Sequence, residues 1–137
     1  MNIHQQVEEL IRSQKNAYMC SVDGDSFPNI KVLEVRGIKG IKEFYFSTAS
    51  TTLRVRQFAN NPKSCLYFSD NEKYTGVMLI GTTEVSVDEE PKRIVWHDGD
   101  DFYYPQGFND PTFCVLKFTA RSGRYFGPDG SEDFSVE

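Results

Sequence analysis

Apolar residues near the start of the chain recur at helical spacing, and the pattern then changes to that of strands. Ile3, Val7, Leu10 and Ile11 lie three or four positions apart among polar residues, which predicts an amphipathic helix over residues 2–15. The segments that follow are short apolar runs bounded by glycine, asparagine, aspartate and proline. Such runs are typical of strands joined by tight turns.

The remaining chain is predicted to contain many short strands and only small helices. Helices are expected at 51–59, where Pro62 limits further extension, and at 88–97. Residues 37–40 are expected to form a turn. Strands are expected at 17–22, 29–36, 41–47, 63–69, 74–87, 112–120 and 123–127.

This order of elements predicts a mainly β fold with small helices. Long crossover helices do not alternate with the strands, which excludes a Rossmann sheet and favours a compact antiparallel barrel with short flanking helices. No repeat or linker divides the sequence, so residues 1–137 are interpreted as one domain. Gly76 and Gly81 are expected to bend or bulge a long strand, and the acidic tail 128–137 is expected to fray.

Composition and charge narrow the possible functions. The 137 residues are 39% hydrophobic and carry a formal net charge of −5, so nucleic acid and anionic membranes are unsuitable partners and any anion site must be local. The sequence has neither an apolar signal core nor a run approaching about 20 apolar residues, and a cytoplasmic protein is expected. Cys20, Cys65 and Cys114 are interpreted as buried free thiols.

Signatures of metal binding and nucleophilic catalysis are missing from the sequence. His4 and His97 are too few for a metal site, and the acidic run 98–101 lacks EF-hand spacing and is interpreted as a solvated loop. Lys31 and Arg36 lie on one predicted strand at odd separation and are expected on opposite faces. Core or dimer packing is favoured over a stacking lid for the aromatic residues Trp96, Phe102, Tyr103, Tyr104 and Phe108.

Residues 44–62 carry the strongest indication of chemistry. An aromatic strand runs into five hydroxyl residues and then into a short helix that begins with Arg54 and Arg56. Free backbone N–H groups at a helix start, hydroxyls and guanidinium groups together suit a phosphate. The alternative left open by these residues alone is an ordinary N-capped helix with two solvated arginines.

Several short motifs occur in order along residues 17–127. They are residues 28–35, 46–48, 52–54, 60–62, 76–84, 104–107, 110–111 and 125–126. The ordered set resembles the pyridoxamine 5′-phosphate oxidase family, in particular its short bacterial members related to general stress protein 26. The resemblance implies a split antiparallel β-barrel that forms a homodimer and binds FMN at the subunit interface.

The resemblance also implies which residues hold the cofactor. Thr52 and Arg54 would bind the FMN phosphate, and Lys31 would add positive charge there or near the ring. Arg54 is expected to be exposed when no ligand is bound. Phe126 or Trp96 contributed by the second subunit would cover the ring. The implied cofactor-binding set is Lys31, Val32, Leu33, Phe46, Ser47, Thr48, Thr52, Leu53, Arg54, Gly76 and Phe126.

Three positions depart from the family's pattern. Leu53 stands where the oxidase usually has an arginine, Gly76 where a flavin-contacting glutamine is common, and Phe126 where tryptophan is frequent. After Phe126 the sequence has no basic residue, whereas the oxidase has a segment of arginine and histidine that grips its substrate. Pyridoxamine phosphate oxidation is therefore not expected.

The resemblance implies an FMN-dependent oxidoreductase acting on an unknown small molecule, with no catalytic residue assigned. One alternative is a non-catalytic flavin-binding or stress-response protein. Another is a split barrel that uses a different cofactor, such as haem or a deazaflavin. The sequence does not decide between these alternatives, because substrate contacts in the resembled family lie on variable loops.

Overall fold

The computed structural model describes residues 1–136 and contains one curled antiparallel sheet with three helices. The helices are α1 (Ile3–Ser13), α2 (Leu53–Asn60) and α3 (Glu89–Val95). The strands are β1 (Asn16–Val22), β2 (Pro28–Glu34), β3 (Gly37–Lys39), β4 (Glu43–Ala49), β5 (Lys63–Asp70), β6 (Thr75–Ser86), β7 (Phe113–Gly127) and β8 (Gly130–Ser135). Two short 3₁₀ turns, Asp100–Phe102 and Gly107–Asn109, lie between α3 and β7.

The sheet closes almost completely and leaves one opening. The strand order is β2-β1-β5-β6-β7-β4-β3, with β8 added beside β7. Among residues 1–136, strand β2 pairs only with β1, and β4 pairs with β3 only over Glu43–Tyr45. The rest of β4 therefore has a free edge, and the Arg36 N–H donates to the Tyr45 carbonyl at 2.9 Å to join the two sides. This arrangement is a split barrel, which confirms the predicted fold class.

The interior of the barrel is packed with aromatic and aliphatic side chains from every major strand. Phe44, Phe46, Phe68 and Phe118 are fully buried there, each contributing about 1.5–3 kcal/mol through burial. Helix α1 inserts its apolar stripe into the same core, and α2 adds Phe58. Strand β4 and helix α2 are therefore both anchored in this core, through Phe46 and Phe58.

A second apolar cluster lies outside the barrel and fixes the long segment after α3. Tyr45, Val95, Tyr104, Phe113 and Val115 form it, with Trp96 and Phe108 packed against them. The prediction of packing is thus confirmed for Trp96, Tyr104 and Phe108. Phe102 and Tyr103 are 84% and 66% exposed, so they do not pack in the core of this chain, and dimer packing stays a prediction for these two residues.

Strand pairing overrides two expectations drawn from local pattern and confirms a third. Residues 37–39 form β3 instead of a turn, because Gly37–Lys39 pairs with Glu43–Tyr45. Residues 112–120 and 123–127 belong to one strand, β7, because β6 pairs along its whole length. The register shifts between Ile80 and Gly81, so the irregularity expected near Gly81 is confirmed, and the extra residue on β7 is Arg121.

The acidic tail is ordered over most of its length. Gly130–Ser135 forms β8 on the edge of β7, and Phe134 is 8% exposed in the main core. Arg124 and Asp133 pair across the two strands with Nε–Oδ1 at 2.6 Å. The expectation of fraying is wrong for these residues, because the strand pairing and the buried Phe134 hold them; Glu137 lies outside the described residues.

Candidate functional site

The opening of the barrel has strand β2 on one side. Lys31 and Leu33 oppose Met19 and Ala17 in the register of β1 and so lie on the barrel side of the sheet. Val32 lies on the outer face instead and is 46% exposed. The implied trio Lys31, Val32 and Leu33 is therefore divided between two faces, with Lys31 exposed and Leu33 half-buried.

The other side of the opening is formed by residues 46–49 of β4, which have no partner strand on this edge among the described residues, and by the turn that leads to α2. We call residues 46–49 the free half of β4. Phe46 is buried in the core, whereas Ser47 points outward and is half-buried. Thr48 and Thr52 approach each other with their hydroxyl oxygens 3.3 Å apart. Thr52 is the N-cap of α2, yet its side chain makes no capping hydrogen bond. The backbone N–H groups in the first turn of α2 therefore do not donate to the Thr52 hydroxyl.

Arg54 lies in the first turn of α2 and is half-buried. Its Nε is shielded from solvent and has no hydrogen-bond partner among residues 1–136. Burial lowers the pKa of the Arg54 guanidinium below its usual value. The expectation that Arg54 is exposed is therefore wrong, because its stem packs into the protein. A buried donor on a charged group is costly to leave unpaired, so this geometry favours a bound anion.

Arg56 has different surroundings, although it is only two residues away. It is exposed, and its Nη1 donates to the Thr51 carbonyl at 3.3 Å. Arg56 and Leu53 line a surface cavity of about 500 Å³ beside the β1–β2 turn, and Arg54 does not line it. The interpretation of solvated arginines thus holds for Arg56 and not for Arg54. Leu53 is 51% exposed and offers no polar contact.

A second cavity, of about 400 Å³, lies along the free half of β4. It is lined by Glu34, Arg36, Ser47, Ala49, Tyr103 and Tyr104. Arg36 Nη1 lies 3.2 Å from both carboxylate oxygens of Asp100, and its Nε is 3.8 Å from Glu34. Asp100 also accepts the His97 N–H at 2.9 Å. This cavity begins near the β4–α2 turn and ends at the ion pair.

This ion pair was not predicted from the sequence. Asp100 is 4% exposed, so the interpretation of residues 98–101 as a solvated loop is wrong at this position. Arg36 lies beyond the end of β2 and not on the strand that it was expected to share with Lys31. Tyr104 is 6% exposed, and burial raises its pKa. No local pattern connects Arg36 with Asp100, which are 64 residues apart.

The outer face of β2, β1, β5 and β6 presents two continuous rows of apolar and aromatic side chains. The strand registers place Val32 beside Tyr18, then Tyr67 and Met78 in the first row. They place Ile30, Cys20, Cys65 and Ile80 in the second row. Five of these residues are 38–66% exposed: Tyr18, Ile30, Val32, Tyr67 and Ile80. We call these two rows the outer apolar face.

Gly76 and Phe126 lie at the far side of this face from the opening. They oppose each other on β6 and β7, and Phe126 lines a cavity of about 210 Å³ with Tyr67 and Tyr74. Strand β6 is three places from β2 in the sheet, or about 14 Å at the usual strand spacing. One chain therefore does not bring Gly76 and Phe126 together with Lys31.

The three cysteines are free thiols, as expected, but only Cys114 is buried. Cys20 and Cys65 are half-buried and face each other on neighbouring strands. Burial raises the pKa of Cys65 to about 12 and that of Cys114 to about 11. Within residues 1–136, no three His, Cys, Asp or Glu residues are grouped so as to hold a metal ion. The described helices are all too short or too polar to span a membrane.

The fold and the opening beside β4 define this chain as a split-barrel protein. The family model described as pyridoxamine 5′-phosphate oxidase like matches residues 2–135, and the chain belongs to this family. The match confirms the resemblance. No protein of curated function matches the chain significantly in sequence.

Solved structures agree with this assignment. A Clostridium acetobutylicum protein related to general stress protein 26 of B. subtilis, of the pyridoxinephosphate oxidase family, is 35% identical, with a TM-score of 0.86 over 97% of this chain and 94% of that one. General stress protein 26 from Bacillus anthracis str. Sterne shares the fold at 15% identity, with a TM-score of 0.82 over 99% and 100%. A haem-binding protein from Mycobacterium smegmatis does so at 14% identity, with a TM-score of 0.80 over 98% and 58%.

Proposed function

We propose that this protein binds FMN in the opening between β2 and β4 and acts as a flavin-dependent oxidoreductase on a small molecule. The observation that carries the proposal is the shielded Arg54 Nε, which has no partner among the described residues. The Thr52 hydroxyl and the uncapped start of α2 lie beside it in the chain. Guanidinium, hydroxyl and helix N–H groups together are suited to a phosphate dianion. Family membership supports a flavin as the bearer of that phosphate.

The remaining residues of the opening would orient the body of the cofactor. Lys31 brings positive charge to the barrel side of β2. The free edges of β2 and β4 offer backbone groups near Val32, Leu33 and Ser47 that can hydrogen-bond to the edge of the isoalloxazine. Bound FMN would supply hydride or electron transfer, while the protein positions it and tunes its surroundings.

A homodimer would complete this site. The outer apolar face is continuous across four strands, and exposed apolar surface of this kind marks interaction sites. Val32 belongs to that face, while its neighbour Lys31 faces the opening, so a subunit interface there would run along the cofactor site. Gly76 and Phe126 lie on the same outer side and could reach the flavin of the second subunit.

Haem is the alternative favoured by one observation, the fold shared with a haem-binding protein. That likeness concerns the fold, and the residues beside the opening suit haem less well. His4 is exposed on α1 and lies 2.9 Å from the Ser135 carbonyl, while His97 is exposed after α3. Neither histidine lines the cavity beside β4. Arg54 and Thr52 are also not side chains that ligate haem iron.

Titration of the purified protein with FMN and with riboflavin tests the proposal. We expect FMN to bind about ten- to a hundredfold more tightly, since a charge-assisted contact contributes about 1.5–3 kcal/mol. Arg54→Gln should abolish most of this preference. Arg56→Gln is the matched control, because it removes the neighbouring exposed guanidinium, and it should retain the preference.

Equal affinity for the two flavins would exclude the proposed phosphate site. A Soret band in the visible spectrum of the freshly purified protein would instead support haem. With FMN bound, reduction by a pyridine nucleotide and reoxidation by an electron acceptor separate an oxidoreductase from a non-catalytic flavin carrier. A deazaflavin would be recognised by the spectrum and mass of the copurified molecule.

A further inference from the structure

The cavity along β4 has an electrostatic character opposite to that of the proposed phosphate site. At the start of α2, Arg54 does not line this cavity and has no acidic partner among the residues that the structure describes. In the cavity, Arg36 is shared between two carboxylates, Asp100 and Glu34. The phosphate site and the cavity would therefore attract different groups.

We infer that the cavity bounded by Glu34, Arg36, Ser47 and Tyr103 is the substrate site, and that it accepts flat molecules that are uncharged or positively charged and excludes carboxylates and phosphates. This inference rests on the proposed function in one respect, namely that the flavin occupies the adjacent opening. The charge selectivity itself depends only on residues of the cavity.

The cavity contains three ionic groups whose charges do not cancel. Arg36 contributes one positive charge and Asp100 and Glu34 one negative charge each, which leaves the cluster with a net charge of −1. The Arg36 and Asp100 side chains are only 13% and 6% exposed, so solvent screens their interaction little. An anion that approached Arg36 would meet two carboxylates that already occupy the guanidinium.

Lys15 is the nearby cation outside this cluster, and it compensates only weakly. Its Nζ lies 4.0 Å from Glu34, on a side chain that is 78% exposed. Exposed pairs of this length are strongly screened by water and salt. The end of the cavity at Glu34 therefore keeps its negative character.

The walls of the cavity indicate what it can hold. Ser47 and Ala49 are small, so β4 leaves room beside Tyr103 and Tyr104, whose rings can pack against a planar molecule. Tyr103 is 66% exposed and can also receive a cation on its ring face. Ser47 can hydrogen-bond to an uncharged polar group. A neutral or cationic ring thus has partners here, whereas an anion meets a cation, Arg36, that is already paired with two carboxylates.

Three flat probes of nearly equal shape test this selectivity: benzoate, benzamide and benzamidine, with charges of −1, 0 and +1. Binding to the full chain is measured by saturation-transfer NMR and calorimetry, both without added flavin and after loading with FMN. We expect benzamide and benzamidine to bind at least about tenfold more tightly than benzoate. The measurement without flavin keeps this test separate from the test of FMN binding.

Two variants make the prediction specific. Asp100→Asn releases Arg36 and should increase benzoate affinity at least about tenfold, while the amide can still accept the His97 N–H. Glu34→Gln, at the more exposed end of the cluster, should act in the same direction and covers the possibility that Asp100→Asn does not fold. Asp133→Asn is the matched control, because it removes one negative charge on β8 and should leave benzoate binding unchanged.

Several outcomes would overturn the inference. They are benzoate binding to the wild-type protein as tightly as benzamide, no binding of any probe, or unchanged benzoate affinity in both cavity variants. If FMN fails to bind while the probes show the expected order, the proposed function is wrong and the cavity's selectivity stands. If FMN binds and the order is absent, only the substrate assignment fails.

Discussion

The hydroxyl of Tyr67 on β5 lies against Gly76 on β6, in the space that a side chain at residue 76 would enter. A Cβ at this position would collide with the phenol oxygen and its ring carbon. The two residues therefore depend on each other, because Tyr67 can take this position only while residue 76 has no side chain. Where the resembled family commonly has a glutamine, this chain presents a phenol from the neighbouring strand.

Introducing that glutamine should reveal the dependence. We expect Gly76→Gln to destabilise the protein by about 1–3 kcal/mol, because Tyr67 must leave its place on the outer face. In a Tyr67→Ala background, the same substitution should cost much less. A double-mutant cycle by urea unfolding measures the coupling, and strictly additive effects would contradict the prediction.

Disrupting the outer apolar face should produce monomers. Val32→Asp places a charge within the proposed subunit interface, and we expect it to weaken dimerisation by at least about 2 kcal/mol. Val87→Asp is the matched control, since Val87 is 67% exposed between β6 and α3 and outside that face. Light scattering at micromolar concentration distinguishes the two. A wild-type protein that is monomeric with flavin bound would refute the dimer.

Thiol labelling should follow the burial of the cysteines. Because burial raises the pKa of Cys65 to about 12 and that of Cys114 to about 11, both remain protonated at pH 8. The thiolate is the reactive form, so their alkylation by iodoacetamide should be on the order of a thousandfold slower in the folded protein than in guanidinium. Peptide mapping of the label separates them from Cys20. Rapid native labelling of Cys65 or Cys114 would contradict this expectation.

Lowering the pH should remove a contribution of Glu43 to the free energy of unfolding. The Tyr45 hydroxyl donates to the Glu43 carboxylate at 2.6 Å, and this bond lowers the pKa of Glu43. Burial and Glu43 raise the pKa of Tyr45, so the phenol remains a donor. A lowered folded pKa means that the stabilisation is present above the pKa of the unfolded carboxyl and is lost as the pH falls through the folded value.

Tyr45→Phe measures that contribution. At pH 7 we expect the variant to be less stable than the wild type by about 1.5–3 kcal/mol, since a hydrogen bond to a charged group is lost. Below pH 4 the difference should shrink, because Glu43 becomes protonated in both proteins. Urea unfolding at pH 7, 5 and 3 provides the comparison. A difference that does not change with pH would show that Glu43 is not the titrating partner.

Pyridoxamine 5′-phosphate should be a poor substrate. Its phosphate would enter a cavity where Asp100 and Glu34 already occupy Arg36, and correct positioning supplies much of an enzyme's rate. The check is hydrogen peroxide release by FMN-loaded protein. Steady release near about one per second, the lower end of typical turnover, would show that the cavity accepts phosphates after all.

Much of the fold followed from local pattern. The helical stripe of Val7, Leu10 and Ile11 and the alternation along β1 are each encoded by residues a few positions apart, and both elements formed where predicted. The strand, hydroxyl turn and helix of residues 44–62 were recognisable for the same reason. Local pattern did not predict that residues 37–39 and the tail form strands. Short or polar segments become strands only when a partner edge is available.

The sequence by itself determined the class of fold, the order of its elements and the chemistry available at the start of α2. Only the tertiary structure decided that Arg54 is shielded and Arg56 exposed, that Arg36 is held by Asp100, and that Tyr67 covers Gly76. The physical reason is the separation along the sequence of the residues that interact. Periodicity and capping depend on neighbours within a few residues, whereas burial, ion pairing and steric exclusion depend on which distant strands and loops pack together.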